Sequence, residues 1–364
     1  MKKTSILTIF VLSILLTSCF TGNKKAPVEK PKNIILLIGD GMGLGQIHAG
    51  MTANKGDLNM LTFPVSGLNR TKSADAYITD SGAGATALST GKKTNNYRIA
   101  LGINNEPLKT ILEYAEEKGL STGVISTSSI THATPAAFLS HNINRDNEEE
   151  IAVDIMNSNA EIIIGGGRIY FTERRDQLNL LDSMQSLGYG VYESLEDVNT
   201  SEHNKIIALT ALKHNKKMTE GRGNMLLQAA EIAIEKLSEN GKGFFLMIEG
   251  SFIDKACHEN DKDYLLQEVL DFDKVTGFIK SFAEKNGETL VIVTADHETG
   301  ALSIINGNYE TGEVELHFAK KGGTTNEHCG IMVPVFAYGP ASLEFTGVYE
   351  NTEIFQKMMN AFQW

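Results

Sequence analysis

Short apolar runs rich in β-branched residues alternate along this chain with longer stretches whose apolar positions recur at about 3.6 residues. The runs Asn33–Ile38, Gly123–Thr127, Glu161–Gly165, Ile206–Leu209, Phe244–Ile248, Leu290–Thr294 and Val333–Tyr338 predict strands. Between them, "PLKTILEYAEEKG", "NEEEIAVDIMNS", "NMLLQAAEIAIEKLSEN" and "YLLQEVLDFDKVTGFIKSFAEK" predict amphipathic helices. Strands alternating with helices imply an α/β fold, a mostly parallel sheet with helices on both faces. No internal repeat or low-complexity segment interrupts the pattern.

The first 19 residues stand apart. A basic "MKK", an apolar "ILTIFVLSILL" too short to span and stay, and "LTSC" ending at Cys19 read as a secretory signal. The ending resembles the lipobox of bacterial lipoproteins, in which the cysteine is lipidated. Residues 20–32, polar and rich in Lys and Pro, read as a tether, and 33–364 as one folded domain. This places the protein in the periplasm or at the cell surface, anchored to a bacterial membrane. A plain secreted protein in which Cys19 has no role is the alternative. Beyond Cys19 only Cys257 and Cys329 remain, enough for one disulfide or none.

Composition adds two constraints. With 364 residues, 41% of them hydrophobic, the chain can bury a large core. A net charge of −12 argues against nucleic acid or anionic lipid as charge-driven partners. A phosphate-bearing substrate would need a local positive centre, and bound metal supplies one.

Open α/β sheets carry their chemistry at the C-terminal ends of their strands. There the first strand runs into Asp40, the second into "SSITHATPAAF" with His132 and Thr134, "FFLMI" into Glu249, and "LVIVTA" into Asp296 and His297. One such acid is ordinarily a helix cap. Four strand ends delivering acids, imidazoles and a hydroxyl to one edge indicate a site. In "EGSFIDKACHEND" a helix after Glu249 would set Asp254 and His258 four apart on one face, where both can bind one ion. With His328 the ligand set suits two or three ions rather than one. Ser81, in "YITDSGAGATALSTG", falls where a helix of small residues begins, and reads equally as an N-cap and as a nucleophile.

Taken in order, "LIGDGMG", "TDSGAGATALSTGKKT", "THATPAAF", "EGSFIDKACH", "VTADHETG" and "VPVFAYGP" resemble the successive motifs of alkaline phosphatases over nearly everything after residue 32. The resemblance implies a three-layer α/β sandwich, two Zn2+ and one Mg2+, and hydrolysis of phosphate monoesters through a phosphoserine on Ser81. It implies Asp254, His258 and His328 on the first zinc, and Asp296 and His297 on the second. Asp40 would bridge the second zinc and the magnesium, with Thr134 and Glu249 on the magnesium. Arg145, in "SHNINRDNEEE", is the candidate phosphate clamp, oriented by Asp80; a solvent-exposed pairing with Asp146 or Glu149 is its alternative.

Three departures qualify the resemblance. His132 stands where some members carry an acid, His317 competes with His328, and the short stretch between His297 and His328 leaves room only for a small surface insertion. Members with a large insertion use it in dimer contacts, so a homodimer stays open. If both ligand assignments hold, Cys257 and Cys329 approach each other beneath the first zinc; buried apolar thiols are favoured over a disulfide. Within the superfamily a phosphodiesterase or phosphomutase is the rival reading, and outside it an inactive phosphate- or metal-binding lipoprotein. A sulfatase is disfavoured, because Ser81 lacks the "[CS]-x-P-x-R" context.

Overall fold

The computed structural model describes residues 30–198, 201–319 and 327–364. The signal segment, Cys19 and nearly all of the tether lie outside them. Fourteen strands are present among the described residues: β1 Asn33–Gly39, β2 Val65–Arg70, β3 Ser121–Ser129, β4 Ile162–Gly166, β5 Tyr189–Tyr192, β6 Lys205–Ala211, β7 Phe244–Gly250, β8 Thr289–Thr294, β9 Glu298–Thr299, β10 Ser303–Asn308, β11 Glu313–His317, β12 His328–Cys329, β13 Val333–Tyr338 and β14 Gly347–Glu350.

Ten of them form one sheet in the order β14-β2-β13-β8-β1-β7-β3-β4-β6-β5. Every pairing is parallel except those of β13, which runs antiparallel to β2 and β8. The central strand β1 is buried on both faces, so its side chains divide by parity. Ile35 and Leu37 join one core with the helices Met225–Leu237, Phe252–Glu259 and Lys262–Asn286. Ile34, Leu36 and Ile38 join another with Ile111–Glu117, Ala133–Leu139, Glu148–Asn157 and Thr352–Phe362. This is the expected three-layer sandwich.

The seven predicted strands are all present, with ends shifted by a few residues. β2, β5 and β14 escaped prediction because they are short, sheet-margin segments containing glycine or polar residues ("VSGLNR", "YGVY", "GVYE") and lack a clean apolar run. β3 extends beyond its apolar part through "STSS" because those buried hydroxyls find partners: Ser126 Oγ lies 2.9 Å from both Ser128 Oγ and Ser251 Oγ, and donates to Glu249 at 2.5 Å. The small insertion is the β10–β11 hairpin, whose Tyr309 hydroxyl reaches His48 Nε2 at 3.3 Å on the helix Leu44–Ala53.

Candidate metal and nucleophile site

Register brings the acids together. Ile38 pairs with Glu249 on one side and Thr294 on the other, so Asp40, Glu249 and Asp296 emerge side by side from β1, β7 and β8. The chain then needs a sharp turn, and Gly41 provides it at φ +71°. A Cβ there would lie 2.7 Å from Thr299 Oγ1 and 2.9 Å from Asp254 Cα, so no side chain fits.

Asp40 is 1% exposed, and neither of its carboxylate oxygens has a hydrogen-bond partner. Burial, and then the charges of Asp296, Asp254 and Glu249, push its pKa far above the ordinary carboxylate value. Asp296, buried beside Asp254, is raised to about 7. Its Oδ1 accepts from the Gly41 and His297 amides, while Oδ2 has no partner. Thr134 Oγ1, Glu249 Oε1 and His132 Nδ1 are likewise buried without partners. So many orphaned ligand atoms in one place contradict the rule that buried polar groups are satisfied, unless cations complete them. The donor set fits metal.

Ligand atoms gather in three groups, each with its atoms within 4.8 Å of one another: Asp254, His258 and His328; Asp40, Asp254 and His297; and Asp40, His132 and Glu249. In the first, His258 Nε2 and His328 Nε2 face each other at 3.2 Å and point at Asp254 Oδ1, 3.2 and 3.4 Å away. His328 Nδ1 contacts the Thr79 carbonyl at 3.0 Å; donating there would leave Nε2 as the ligating atom. The competing His317 lies exposed on β11, outside all three groups.

In the second group His297 Nε2 is 3.3 Å from both Asp40 Oδ1 and Asp296 Oδ2, and 3.1 Å from Ser81 Oγ. Burial and the neighbouring His328 drive the His297 pKa well down, which leaves its imidazole neutral and able to ligate. Ser81 opens the helix Ser81–Thr90, but the cap is Asp80, whose Oδ1 accepts from the Ala83 amide at 2.9 Å. Its hydroxyl is therefore directed into the cluster instead of capping the helix. That helix packs against the Asp296 loop, where a Cβ on Gly84 would sit 2.9 Å from the Asp296 carbonyl.

Arg145 pairs with neither Asp146 nor Glu149. Its Nη1 donates to Asp80 Oδ2 at 3.0 Å and its Nη2 lies 3.5 Å from His132 Nε2. Asp80 thus holds the cap and the guanidinium at once. Cys257 and Cys329 are not disulfide-bonded. Cys257 is buried as expected, but Cys329 is only half-buried and its thiol donates to Glu298.

Sequence reasoning missed Thr299 and Lys255. Thr299 Oγ1 donates to Asp254 Oδ1 at 2.5 Å and lies 3.2 Å from His297 Nδ1. Lys255 is half-buried, and its pKa is lowered by desolvation against the pull of Glu249, Asp40 and Asp254. Lys255 adjoins Asp254 and Thr299 lies two residues beyond His297, which was the available signal.

A parallel α/β sheet whose strand ends converge on buried carboxylates, imidazoles and one hydroxyl defines a multi-metal hydrolytic centre. The chain belongs to the alkaline phosphatase family: its family model matches residues 31–323 and 315–364. Among curated relatives, alkaline phosphatase 4 of Bacillus subtilis is 31% identical, over 96% of this chain and 95% of that protein. The Escherichia coli alkaline phosphatase is 30% identical, over 92% and 86%. The solved alkaline phosphatase of the Antarctic bacterium TAB5 superposes with a TM-score of 0.86 at 40% identity, covering 93% of this chain and 99% of that one. A histidine-to-aspartate mutant of the TAB5 enzyme, with magnesium bound in its M3 site, superposes with a TM-score of 0.87 at 39% identity over the same shares.

Proposed function

We infer that this chain hydrolyses phosphate monoesters through a phosphoserine on Ser81. The observation that carries this is the Ser81 hydroxyl, 3.1 Å from His297 Nε2, in a pocket of buried carboxylates that lack partners. Asp254, His258 and His328 would hold one zinc, and Asp296, His297 and Asp40 the other, beside Ser81. Asp40, Thr134 and Glu249 would hold the magnesium, with His132 alongside. When bound, these ions supply Lewis-acid charge that acidifies the serine hydroxyl and a water and neutralises the phosphate.

The chain's own groups do the remaining work. Ser81 Oγ attacks phosphorus and the bond to the leaving oxygen breaks. Water then cleaves the Oγ–P bond, which frees the serine and inorganic phosphate. Arg145 offers a planar fork to two phosphate oxygens, and Asp80, next to Ser81 in the chain, holds that fork. A third-metal site and an arginine fork both suit a dianionic terminal phosphate. A chelator-sensitive rate on p-nitrophenyl phosphate, well above that on bis(p-nitrophenyl) phosphate, is the expected result; a preference for the diester would refute it.

The lipobox-like segment ending at Cys19 supports export and a lipid anchor, with the enzyme in the periplasm or at the cell surface. A homodimer is compatible with the family.

Zinc uptake at the first site should depend on pH. Burial alone would lower the His328 pKa, but the Asp254 carboxylate beside it raises it to about 9. Below that pH zinc must displace a proton, so affinity should rise about tenfold per pH unit between 7 and 9 and level off above. Calorimetry of the stripped protein in buffers of differing ionisation enthalpy should register the released proton.

A further inference from the structure

Behind the first zinc site lies a polar hub that neither holds a proposed metal nor faces the nucleophile. Gln46 and Glu298 are 0% and 2% exposed. Gln46 Nε2 donates to Glu298 Oε1 at 2.9 Å and to the Thr299 carbonyl at 2.6 Å, with Cys257 Sγ 3.6 Å away. Its Oε1 accepts from the Gly43 amide at 3.0 Å, just after the turn that follows Asp40. Glu298 also accepts from the Ala301 and Leu302 amides at 3.1 and 3.0 Å and from the Cys329 thiol. The Gly43 backbone lies so close to the Glu298 side chain that a Cβ on Gly43 would lie 2.3 Å from Glu298 Cγ, which explains the third glycine of "GDGMG".

We propose that Gln46 and Glu298 are a positioning dyad that sets the geometry of the Asp254–His258–His328 metal site. Cys257 precedes His258 and Cys329 follows His328, so the hub touches the chain one residue from each of these ligands. It also grips the backbone at Thr299, whose hydroxyl holds Asp254. Among the described residues β9 and β12 pair through His328↔Thr299 and Cys329↔Glu298, with the Gly300 amide bonded to the Glu327 carbonyl beside them, too short a ladder to fix an imidazole unaided. A buried amide and carboxylate joined to each other and to the surrounding backbone supply the missing rigidity, because displacing either breaks several hydrogen bonds at once in a dry interior. The dyad thereby carries the outer-shell role that commonly changes metal affinity by about 10- to 100-fold.

The inference rests on that site's assignment, and the test separates the two. The full chain is stripped with chelator and titrated with Zn2+ alone, then with Co2+ as a spectroscopic probe. Wild type and His258→Ala serve as references, the latter to identify the first-site signal. Gln46→Ala and Glu298→Gln should each weaken the first-site zinc equivalent about tenfold or more and alter its cobalt d–d spectrum. The other zinc equivalent should stay unchanged, and the stripped variants should still unfold in one cooperative transition, at a somewhat lower temperature because buried hydrogen bonds are lost. Gln46→Met, which preserves length and fills the space, guards against a variant that merely fails to fold. Unaltered first-site affinity and spectrum in the variants overturns the dyad alone, as does equal weakening of both zinc equivalents. A wild-type protein whose zinc stoichiometry His258→Ala leaves intact overturns the site assignment and the dyad with it.

Discussion

Ser81→Ala is expected to lower kcat on p-nitrophenyl phosphate by about ten-thousand-fold or more, while zinc and magnesium content stay at wild-type levels. The size follows from what is lost: without the hydroxyl no phosphoenzyme forms, and direct attack by water must proceed from a position the site did not evolve to serve. Metal content should survive, since the carboxylates and imidazoles of all three ligand groups remain. The fold should survive as well, since Asp80 rather than Ser81 caps the helix. Steady-state kinetics with elemental analysis of the same preparation check both halves. A variant within tenfold of wild type, or one that still accumulates covalent phosphate, places the nucleophile elsewhere.

Asp40→Asn should have a similarly large effect on activity and an opposite one on stability. Asp40 contributes to two of the three ligand groups, so its loss should abolish turnover together with retention of the second zinc and the magnesium. Yet in the stripped wild-type protein this buried carboxylate faces Asp296, Asp254 and Glu249, which outweigh the pull of Arg145. Its folded pKa is raised above the unfolded value of about 3.9. Ionising it therefore works against folding, and stability falls as pH rises from that value through the folded pKa.

Three measurements follow. Chelation at pH 8 should lower the wild-type Tm by on the order of 15 °C, since each zinc at a thousand times its Kd adds about 4 kcal/mol. Stripped Asp40→Asn should melt above stripped wild type at pH 8, yet below the metal-loaded enzyme. Its advantage should shrink as pH falls toward the ordinary carboxylate value, because the folded wild-type carboxyl is then protonated and the unfolded one gains less by ionising. Thermal unfolding with and without chelator across that range checks all three. A stripped variant no more stable than stripped wild type at pH 8 would mean that Asp40 carries no electrostatic load for cations to relieve.

The sandwich was largely legible because a sheet buried on both faces demands continuous apolar runs, and helices on it demand 3.6-residue periodicity. The central strands β1, β7 and β8 were read almost to the residue for that reason. The helix before β3 was harder: the pattern suggested a start near Pro107, whereas the Thr110–Glu113 capping box starts it at Ile111. Margin strands carry fewer apolar contacts, so their sequences are less constrained and their signal is weak.

The candidate site divides along the same line. That Asp40, Glu249, Asp296 and His297 would share one edge was determined by the sequence alone, since each ends or follows a buried strand and parallel strands end together. Asp254 and His258 followed from helical spacing. What only the tertiary structure decided was whatever depends on pairings between distant segments: His328 over His317, Asp80 as both cap and partner of Arg145, Thr299 between two ligands, and Gln46 against Glu298 behind them. Local periodicity records which way a side chain faces, but not which residue far along the chain will stand opposite it. That is settled only when the backbone closes and each buried polar atom must find a partner.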